Sequence, residues 1–549
     1  MLTIQWIQNK QPTKRIRRNR LAVLVVCALM ACITSHLLAI EQAQPSTIQQ
    51  ADQLARSGHT EEAVRLLQDT LAGRPTDLDV RLALATVLAR AHKYKEAQAT
   101  IALLPAPKDA NERVRYFRLV ASIDSGLGDS RAAAHAIENA LQVTPGNEEL
   151  RRIAALAEAE AGEWAACIRN IAPLYKQNPN PQMGLILLRA ELASHVDFSP
   201  TLASLRRLDL PADQELELSV HLSELLASAN RHVEAIDELQ RALKIAGPGD
   251  QTLLYNRAVE QNSARQFDQS LATLSSLRAS NDSAEIEDLL GDVQEHRGDR
   301  GAAVHSHESA IAMSPQEERF RLSLGAELLK YQQYEAAVPV FQQAAGMFPD
   351  SARIYVGLGM AFYFTEKYED SVAAFLRADQ LDGGSGRALS YLGATQLDNP
   401  AGPAPAALVA ICARADSASD SASWCGALLF RKAYLSDDRA AAPEIIRRLR
   451  FAAKERPEDA IASCSFGEAM EWTQQLREAR HWLEICVRLR PKSTEAHYRL
   501  SRVYLELGLK QAAAEQAALI DTANPQSDQR ESIANTFADE MLVPGETKK

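Results

Sequence analysis

Small side chains recur along this chain at intervals of about 34 residues, and this period limits the fold more than any single motif. One series of small residues includes Ala303, Ala337, Ala479 and Ala513. A second series precedes it by twelve residues and includes Gly291, Gly325, Gly359 and Gly467. Two helices approach to about 8–10 Å only where the side chains at their crossing are small. The period therefore predicts antiparallel helix pairs.

Residues 324–349, LGAELLKYQQYEAAVPVFQQAAGMFP, show one such unit. Phe341 follows Ala337 by one helical turn and is expected to fill the core between the two helices. Pro349 closes the unit, because proline lacks an amide donor and clashes with the preceding helical turn. The segment therefore predicts helix, turn and helix, followed by a stop.

The order Leu-Gly, Ala-x3-Phe and Pro within 34 residues resembles the tetratricopeptide repeat. The resemblance implies an all-α, right-handed superhelical solenoid of about fourteen helix–turn–helix repeats. The repeats are expected to begin near residues 44, 78, 114, 148, 182, 216, 251, 284, 318, 352, 386, 426, 460 and 494. The resemblance also implies a peptide-binding scaffold whose concave surface is lined by the first helix of each repeat.

The pattern divides the chain into an N-terminal array and a C-terminal array. A segment rich in proline and serine, including DSASDSASW at 416–424, predicts a flexible seam between the two arrays. After the second array, a capping helix with a polar outer face is expected, because the end of a solenoid must be covered. The predicted boundaries are 44–397 for the first array, 398–425 for the seam, 426–527 for the second array and 528–549 for the cap and tail.

The N-terminus has the features of an export signal. A basic segment, 1–20, precedes an apolar run at 21–40, which is long enough to cross a bilayer as a helix. The charges predict a transmembrane anchor with its N-terminus in the cytoplasm. A cleaved signal peptide and a lipoprotein signal at Cys32 remain alternatives. All three predict export of the remaining chain, which we expect in the bacterial periplasm on the inner membrane or, under the alternatives, as a secreted protein or lipoprotein.

Charge and motif content exclude several functional classes. The net charge of −11 argues against binding to nucleic acid, because such proteins are basic. The sequence has no nucleophile motif and no zinc-ligand spacing, so we expect no catalytic site, cofactor or metal. His305 and His307 stand two apart on a predicted helix and point to different sides. His307 occupies the position of Phe341 in the next repeat, which predicts a structural role.

Four of the cysteines cluster late in the chain. If the chain is exported, the oxidising compartment allows them to form disulfides. Cys412 and Cys425 flank the flexible connector at 416–424, within the predicted seam, where a disulfide would hold the second array on the first. Cys464 and Cys486 lie on opposite helices of one repeat. Both pairs are candidate disulfides, and four packed thiols are the alternative. Cys167 takes a small crossing position and is expected to be a buried free thiol.

Two neighbouring first helices carry the candidate partner-binding residues. On the concave side we expect an apolar and aromatic floor with basic rims, suited to an extended or helical segment of a protein or peptide partner. Packing between repeats is the alternative role for the same positions. The residues are Arg319, Leu322, Leu329, Lys330, Arg353, Val356, Met360, Tyr363 and Phe364.

The sequence predicts a non-enzymatic interaction scaffold that is anchored in a bacterial membrane and faces the periplasm. The alternative is an accessory subunit of an envelope assembly or polysaccharide export machine, which would hold a glycan or an enzyme partner. Stacked aromatics with carboxylates would favour a glycan, whereas an apolar floor with basic rims would favour a peptide. The low aromatic content, 6%, favours the peptide.

Overall fold

The computed structural model is all-α, as the 34-residue period predicts. It describes residues 47–102, 106–383, 386–415 and 419–520, and these residues form helices and turns without a β-strand. No helix within these ranges is both long enough and apolar enough to span a bilayer. The predicted basic segment 1–20, the predicted anchor 21–40 and the predicted cap and tail 528–549 lie outside the described residues.

The chain divides into two compact units, one of which ends at Ala264 while the other continues from Arg265. The first unit contains thirteen described helices. They are α1 (Thr47–Arg56), α2 (Thr60–Gly73), α3 (Leu78–Arg90), α4 (Tyr94–Ile101), α5 (Ala110–Leu127), α6 (Ser130–Val143), α7 (Glu148–Ala161), α8 (Trp164–Gln177), α9 (Pro181–Ala193), α10 (Ser199–Leu205), α11 (Ala212–Ser228), α12 (His232–Ala246) and α13 (Gln251–Ser263).

The second unit contains fifteen described α-helices and a short 3-10 turn, Arg439–Ala441. The helices are α14 (Phe267–Ser280), α15 (Ala284–His296), α16 (Arg300–Met313), α17 (Glu318–Lys330), α18 (Tyr334–Met347), α19 (Ala352–Phe364), α20 (Tyr368–Leu381), α21 (Arg387–Leu397), α22 (Pro405–Cys412), α23 (Ser419–Ser436), α24 (Ala442–Glu455), α25 (Ala460–Trp472), α26 (Leu476–Leu489), α27 (Thr494–Glu506) and α28 (Lys510–Ile520).

The first helix of many repeats begins at a polar N-cap. Asn147 accepts a hydrogen bond from the Leu150 amide at 3.0 Å, and Asp459 accepts one from the Ile461 amide at 2.8 Å. Such a cap satisfies an amide that has no partner within the helix. At the other end of the unit, α18 stops at Met347, two residues before Pro349. Local sequence therefore defines where these helices begin and end.

The small residues lie where the two helices of a repeat cross. A Cβ built on Gly325 would lie 2.4 Å from Cζ of Phe341, which is fully buried. The alanines of the series are likewise at most 2% exposed, at Ala303, Ala337, Ala479 and Ala513. A Cβ would also meet a side chain of the second helix within 3 Å at Gly291, Gly359 and Gly467. The period in the sequence is thus the period of these crossings.

The predicted flexible connector is wrong for residues 419–424, because α23 already begins at Ser419. Two side chains of this polar stretch have partners elsewhere in the second unit. Ser423 Oγ donates a hydrogen bond to Asp459 Oδ2 at 2.7 Å, and the Trp424 ring packs where a Cβ on Gly393 would lie, 2.5 Å away. These contacts hold the stretch in a helix despite its composition. Residues 416–418 lie outside the described part.

Candidate partner-binding surface

The apolar floor predicted on α17 and α19 is buried, so the prediction that it forms an open surface is wrong. Leu329, Met360 and Tyr363 are 0% exposed. The other members, Leu322, Val356 and Phe364, are at most 8% exposed. Neighbouring helices cover them: Phe364 stacks on Tyr334 with 4.4 Å between ring centroids. These positions serve packing between repeats, which is the alternative role that the sequence left open.

The three basic residues at the predicted rim lie at the edge of this packing. Arg319 forms an ion pair with Glu285 of the preceding repeat, with 2.9 Å between nitrogen and oxygen. Lys330 forms an ion pair with Glu295, also of the preceding repeat. Arg353 is half-buried, and burial lowers the pKa of its guanidinium while Glu318 partly compensates. Two of the three cations therefore already join one first helix to the next.

Exposed apolar side chains concentrate in the last repeats instead. Among the described residues, nine of the twelve large apolar side chains that are exposed lie after residue 400. They are Val409, Tyr434, Leu435, Phe451, Leu489, Tyr498, Leu505, Leu509 and Leu519. Contiguous exposed apolar surface marks interaction sites more often than isolated residues do. The C-terminal repeats are therefore the candidate region for a partner-binding surface.

Helix α27 carries the clearest exposed stripe. One side of the helix is buried through Leu500, Val503 and other residues. Tyr498 and Leu505, two turns apart, lie on the other side and are 49% and 58% exposed. Between them the Arg502 guanidinium lies 5.9 Å from the Tyr498 ring centroid. We call Tyr498, Arg502 and Leu505 the α27 stripe. An aromatic, an arginine and a leucine suit a protein contact.

A charged layer connects α27 to the preceding first helix. Arg499 lies 3.2 Å from Glu471 and 3.7 Å from Glu468, and its guanidinium faces the ring of Tyr434, which is 44% exposed. Burial lowers the pKa of Arg499, but the surrounding carboxylates outweigh burial and raise it. Burial raises the pKa of Glu468. The guanidinium thus stays charged and holds the two helices together beside the α27 stripe.

Both candidate cysteine pairs form disulfides in the structure. Cys412 at the end of α22 is bonded to Cys425 in α23, with 4.9 Å between Cα atoms. Cys464 in α25 is bonded to Cys486 in α26, with 4.8 Å between Cα atoms. Cys167 is free and buried, as predicted, and burial raises the pKa of its thiol to about 12. The two bonds therefore cross-link α22 to α23 and α25 to α26, the helices that precede α27.

His307 occupies the core position of Phe341, but carboxylates surround it. Its Nδ1 donates to Asp288 Oδ1 at 3.0 Å, and its Nε2 lies 2.9 Å from Glu327 Oε2 and 3.9 Å from Asp292 Oδ1. Burial alone would lower the pKa of His307, but the contacts with Asp288 and Glu327 outweigh it and raise the pKa to about 10. A purely structural role is therefore an incomplete description.

Sequence reasoning missed this charged cluster because its members come from three helices, α15, α16 and α17. A signal was present: Asp288, Asp292 and Glu295 are spaced by four and three residues, which places them on one face of α15. No group of three or more metal-ligating side chains within the described ranges is arranged to hold a metal ion. The cluster is thus a group of buried ion pairs around His307.

Comparison with known families agrees with the repeat geometry. Two family models, each described as a tetratricopeptide repeat, match the chain, one at residues 54–123 and the other at 322–386 and 473–528. These three segments match tetratricopeptide repeats. Such repeats indicate a protein–protein interaction scaffold, and proteins built from them are generally non-enzymatic. No curated protein matches the chain.

Several solved structures resemble the chain at low sequence identity. The APC/C hetero-tetramer Cut9–Hcn1 is 14% identical, with 96% of each chain covered and a TM-score of 0.31. Naa15/Naa10 bound to HypK-THB is 12% identical, covers 90% of this chain and 96% of the other, and has a TM-score of 0.34. YrrB, a TPR protein with an unusual peptide-binding site, is 16% identical over 33% of this chain and 93% of its own, with a TM-score of 0.27.

Proposed function

We propose that this protein is a non-enzymatic scaffold that binds a segment of a partner protein on the α27 stripe. The observation that carries the proposal is the concentration of exposed apolar side chains on cross-linked C-terminal repeats. A tyrosine and an arginine at the centre of such a surface are the residue types that dominate binding energy at protein interfaces. The second disulfide cross-links α25 to α26, and Arg499 of α27 pairs with Glu471 of α25.

The proposed location is the periplasmic side of a bacterial membrane, with residues 21–40 as the anchor. Two disulfides support an oxidising compartment, because cytosolic proteins rarely keep such bonds. A topology reporter fused after residue 60 tests the location. Activity of a reporter that works only outside the cytoplasm is expected, and activity of a cytoplasm-only reporter would contradict export.

The binding surface is tested by crosslinked pull-down of the full-length chain from membranes, followed by mass spectrometry. Replacing Tyr498 and Leu505 together by alanine should remove the partner, because the apolar area on α27 is lost. Phe451, which is 51% exposed on the second helix α24, supplies the matched control Phe451→Ala. Equal recovery from both variants would show that the α27 stripe is not the binding surface.

A glycan is the second candidate ligand, in an envelope assembly that handles polysaccharide. Its support is the pair of exposed tyrosines, Tyr434 and Tyr498, beside the carboxylates of Glu468 and Glu495. Aromatic faces with nearby carboxylates suit sugars, which present both apolar and hydroxyl faces. Competition of the pull-down by soluble cell-envelope oligosaccharide would favour this candidate over a protein segment.

A further inference from the structure

The repeat of α15 and α16 replaces a set of apolar contacts by charged ones. The next two repeats carry buried apolar side chains at the positions of its three acidic residues. Leu322 and Val356 correspond to Asp288, Ala326 and Met360 to Asp292, and Leu329 and Tyr363 to Glu295. Likewise, the position of His307 is filled by the fully buried Phe341 and Phe375. The main apolar core of the second unit accordingly begins only at Leu322.

Packing alone does not account for this replacement. Well-packed apolar side chains serve this position in both following repeats, and a buried ionic cluster is often no more stable than its apolar equivalent because desolvation offsets the attraction. Buried ionisable groups with strongly shifted pKa values are, by contrast, typical of sites that bind or react. The cluster therefore needs an explanation beyond stability.

The charges in the cluster do not balance. Three carboxylates, those of Asp288, Asp292 and Glu327, lie 2.9–3.9 Å from the ring nitrogens of His307. Lys330 neutralises Glu295 through its ion pair. Burial, followed by the negative charge of Asp288, raises the pKa of Asp292 to about 8. The cluster thus holds more negative than positive groups and one carboxyl that would ionise fully if a further cation came close.

Oε1 of Glu327 is buried and has no hydrogen-bond partner of good geometry among the described residues. The Glu327 carboxylate faces His307 through Oε2, at 2.9 Å, and the hydroxyl of Tyr331. Glu327 is only 5% exposed, so water does not readily solvate it. A buried polar atom without a partner is costly, and such atoms are few in native proteins. An acceptor that is still free beside an excess of carboxylates points to a ligand with positive charge and several N–H donors.

The outer edge of the cluster is accessible. The side chains of Asp288, Asp292 and Glu295 are 16%, 17% and 15% exposed. They follow one face of α15. At one end of this face Glu285 pairs with Arg319 of the next first helix, and at the other end Glu295 pairs with Lys330 of the same helix. A cationic group approaching from solvent therefore meets Asp288 and Asp292 between these two ion pairs.

We propose that Asp288, Asp292 and Glu295, backed by His307 and Glu327, form a pocket that receives a lysine or arginine side chain of a polypeptide partner. The inference rests on the proposed function, since the partner segment supplies the cation. An ammonium or guanidinium group brings the positive charge and the N–H donors that the carboxylates need. Lys330 competes for the pocket, because its ammonium already contacts Glu295.

The test uses a fluorescein-labelled Gly/Ala peptide that contains lysines and, as a neutral probe, the same peptide with every lysine acetylated. Binding to the full-length protein is followed by fluorescence anisotropy at about 0.15 M salt, where long-range attraction to the acidic chain is screened. The lysine peptide should bind and the acetylated peptide should not. Equal binding of both peptides would overturn the proposal.

Asp292→Asn should weaken the lysine peptide at least about tenfold, because it removes one charged partner from a partly desolvated pair. Glu335→Gln is the matched control, because it makes the same change from carboxyl to amide at an exposed position on α18. Equal affinities of the two variants would overturn the proposal. Circular dichroism checks folding, and Glu295→Gln at the edge of the pocket gives a second reading if Asp292→Asn does not fold.

Lys330→Met supplies a test in the opposite direction. Removing the competing ammonium should tighten binding of the lysine peptide, whereas Lys432→Gln, which makes the same change in net charge at an exposed position on α23, should not. Weaker or unchanged binding to Lys330→Met would contradict the pocket. Failure here would leave the pull-down on the α27 stripe unaffected, so the two proposals fail separately.

Discussion

The crossing of α17 and α18 leaves no room for a side chain at Gly325, which makes Gly325→Ala a sharp test of the repeat geometry. The added Cβ would lie 2.4 Å from Cζ of Phe341. The ring has little room to move, because it also packs closely on Gly357 of the next repeat, where a Cβ would lie 2.3 Å from its Cε1. Overpacking of this kind costs about 1–3 kcal/mol. The higher helix propensity of alanine offsets about 0.8–1.0 kcal/mol of this cost.

Gly346→Ala is the matched control for this substitution. Gly346 lies in α18, and a Cβ added there would meet no heavy atom of another part of the chain within 4 Å. The control therefore shares the change in helix propensity but not the steric clash. We expect Gly346→Ala to be neutral or stabilising, so the two variants should differ by about 1–3 kcal/mol in local stability.

Hydrogen exchange of the full-length chain, followed by mass spectrometry, measures this difference locally. Stability in a repeat array is a sum of local and nearest-neighbour terms, so exchange should accelerate in α17 to α19 and remain unchanged in distant repeats. Each 1.4 kcal/mol corresponds to a factor of about ten in the opening equilibrium. Adding Phe341→Leu to Gly325→Ala should restore part of the protection. Equal protection in Gly325→Ala and Gly346→Ala would refute the crossing.

Three further predictions concern the bonds, the charges and the end of the array. Replacing Cys412 and Cys425 by serine should cost about 3 kcal/mol by loop entropy and expose 413–424 to protease, as seen by limited proteolysis. Raising the pH from about 6.5 to 8 should destabilise α15 to α17. Folding raises the pKa of both His307 and Asp292, so the native state binds more protons than the unfolded state over this range. Each such proton lowers the free energy of unfolding by up to about 1.4 kcal/mol per pH unit. Ending the chain after Ile520 should increase binding of an apolar dye, because 528–549 is predicted to cap the last helices.

Each of these predictions has a clear contrary result. Alkylation of both cysteines without prior reduction would show that the first bond is absent from the isolated protein. The sign of the pH effect follows from the raised pKa values: the stabilisation from His307 is complete below about 6.5 and is lost towards pH 10. An increase in protection of α15 to α17 with rising pH would contradict it. Unchanged dye binding after truncation would argue against a cap.

The sequence predicts helix pairs and their crossings because both depend on short-range sterics. A small residue such as Gly325 must stand opposite the large Phe341 for the two helices to approach, and the sequence shows this pairing directly. Pro349 likewise acts on the helix that precedes it. The prediction of a flexible connector is wrong at 419–424 for the opposite reason: Ser423 is held in α23 by Asp459, a residue of the following repeat.

The partner-binding surface is harder to predict because the same helix face either packs or stays open. Whether Met360 is buried depends on how closely the neighbouring first helices approach, which no local pattern encodes. Tyr498 occupies an equivalent face in a later repeat and remains exposed. The charged surroundings of His307 are hidden from local patterns because its partners Asp288 and Glu327 lie 19 and 20 residues away in the chain.

The central claim is that a partner protein contacts the α27 stripe, and site-specific photocrosslinking tests it most directly. A photoreactive amino acid at position 498 of the full-length chain, activated in intact cells, should give one discrete crosslinked protein. The same amino acid at position 451, which is equally exposed on α24, should give none. No adduct at position 498, or the same adduct from both positions, would contradict the account.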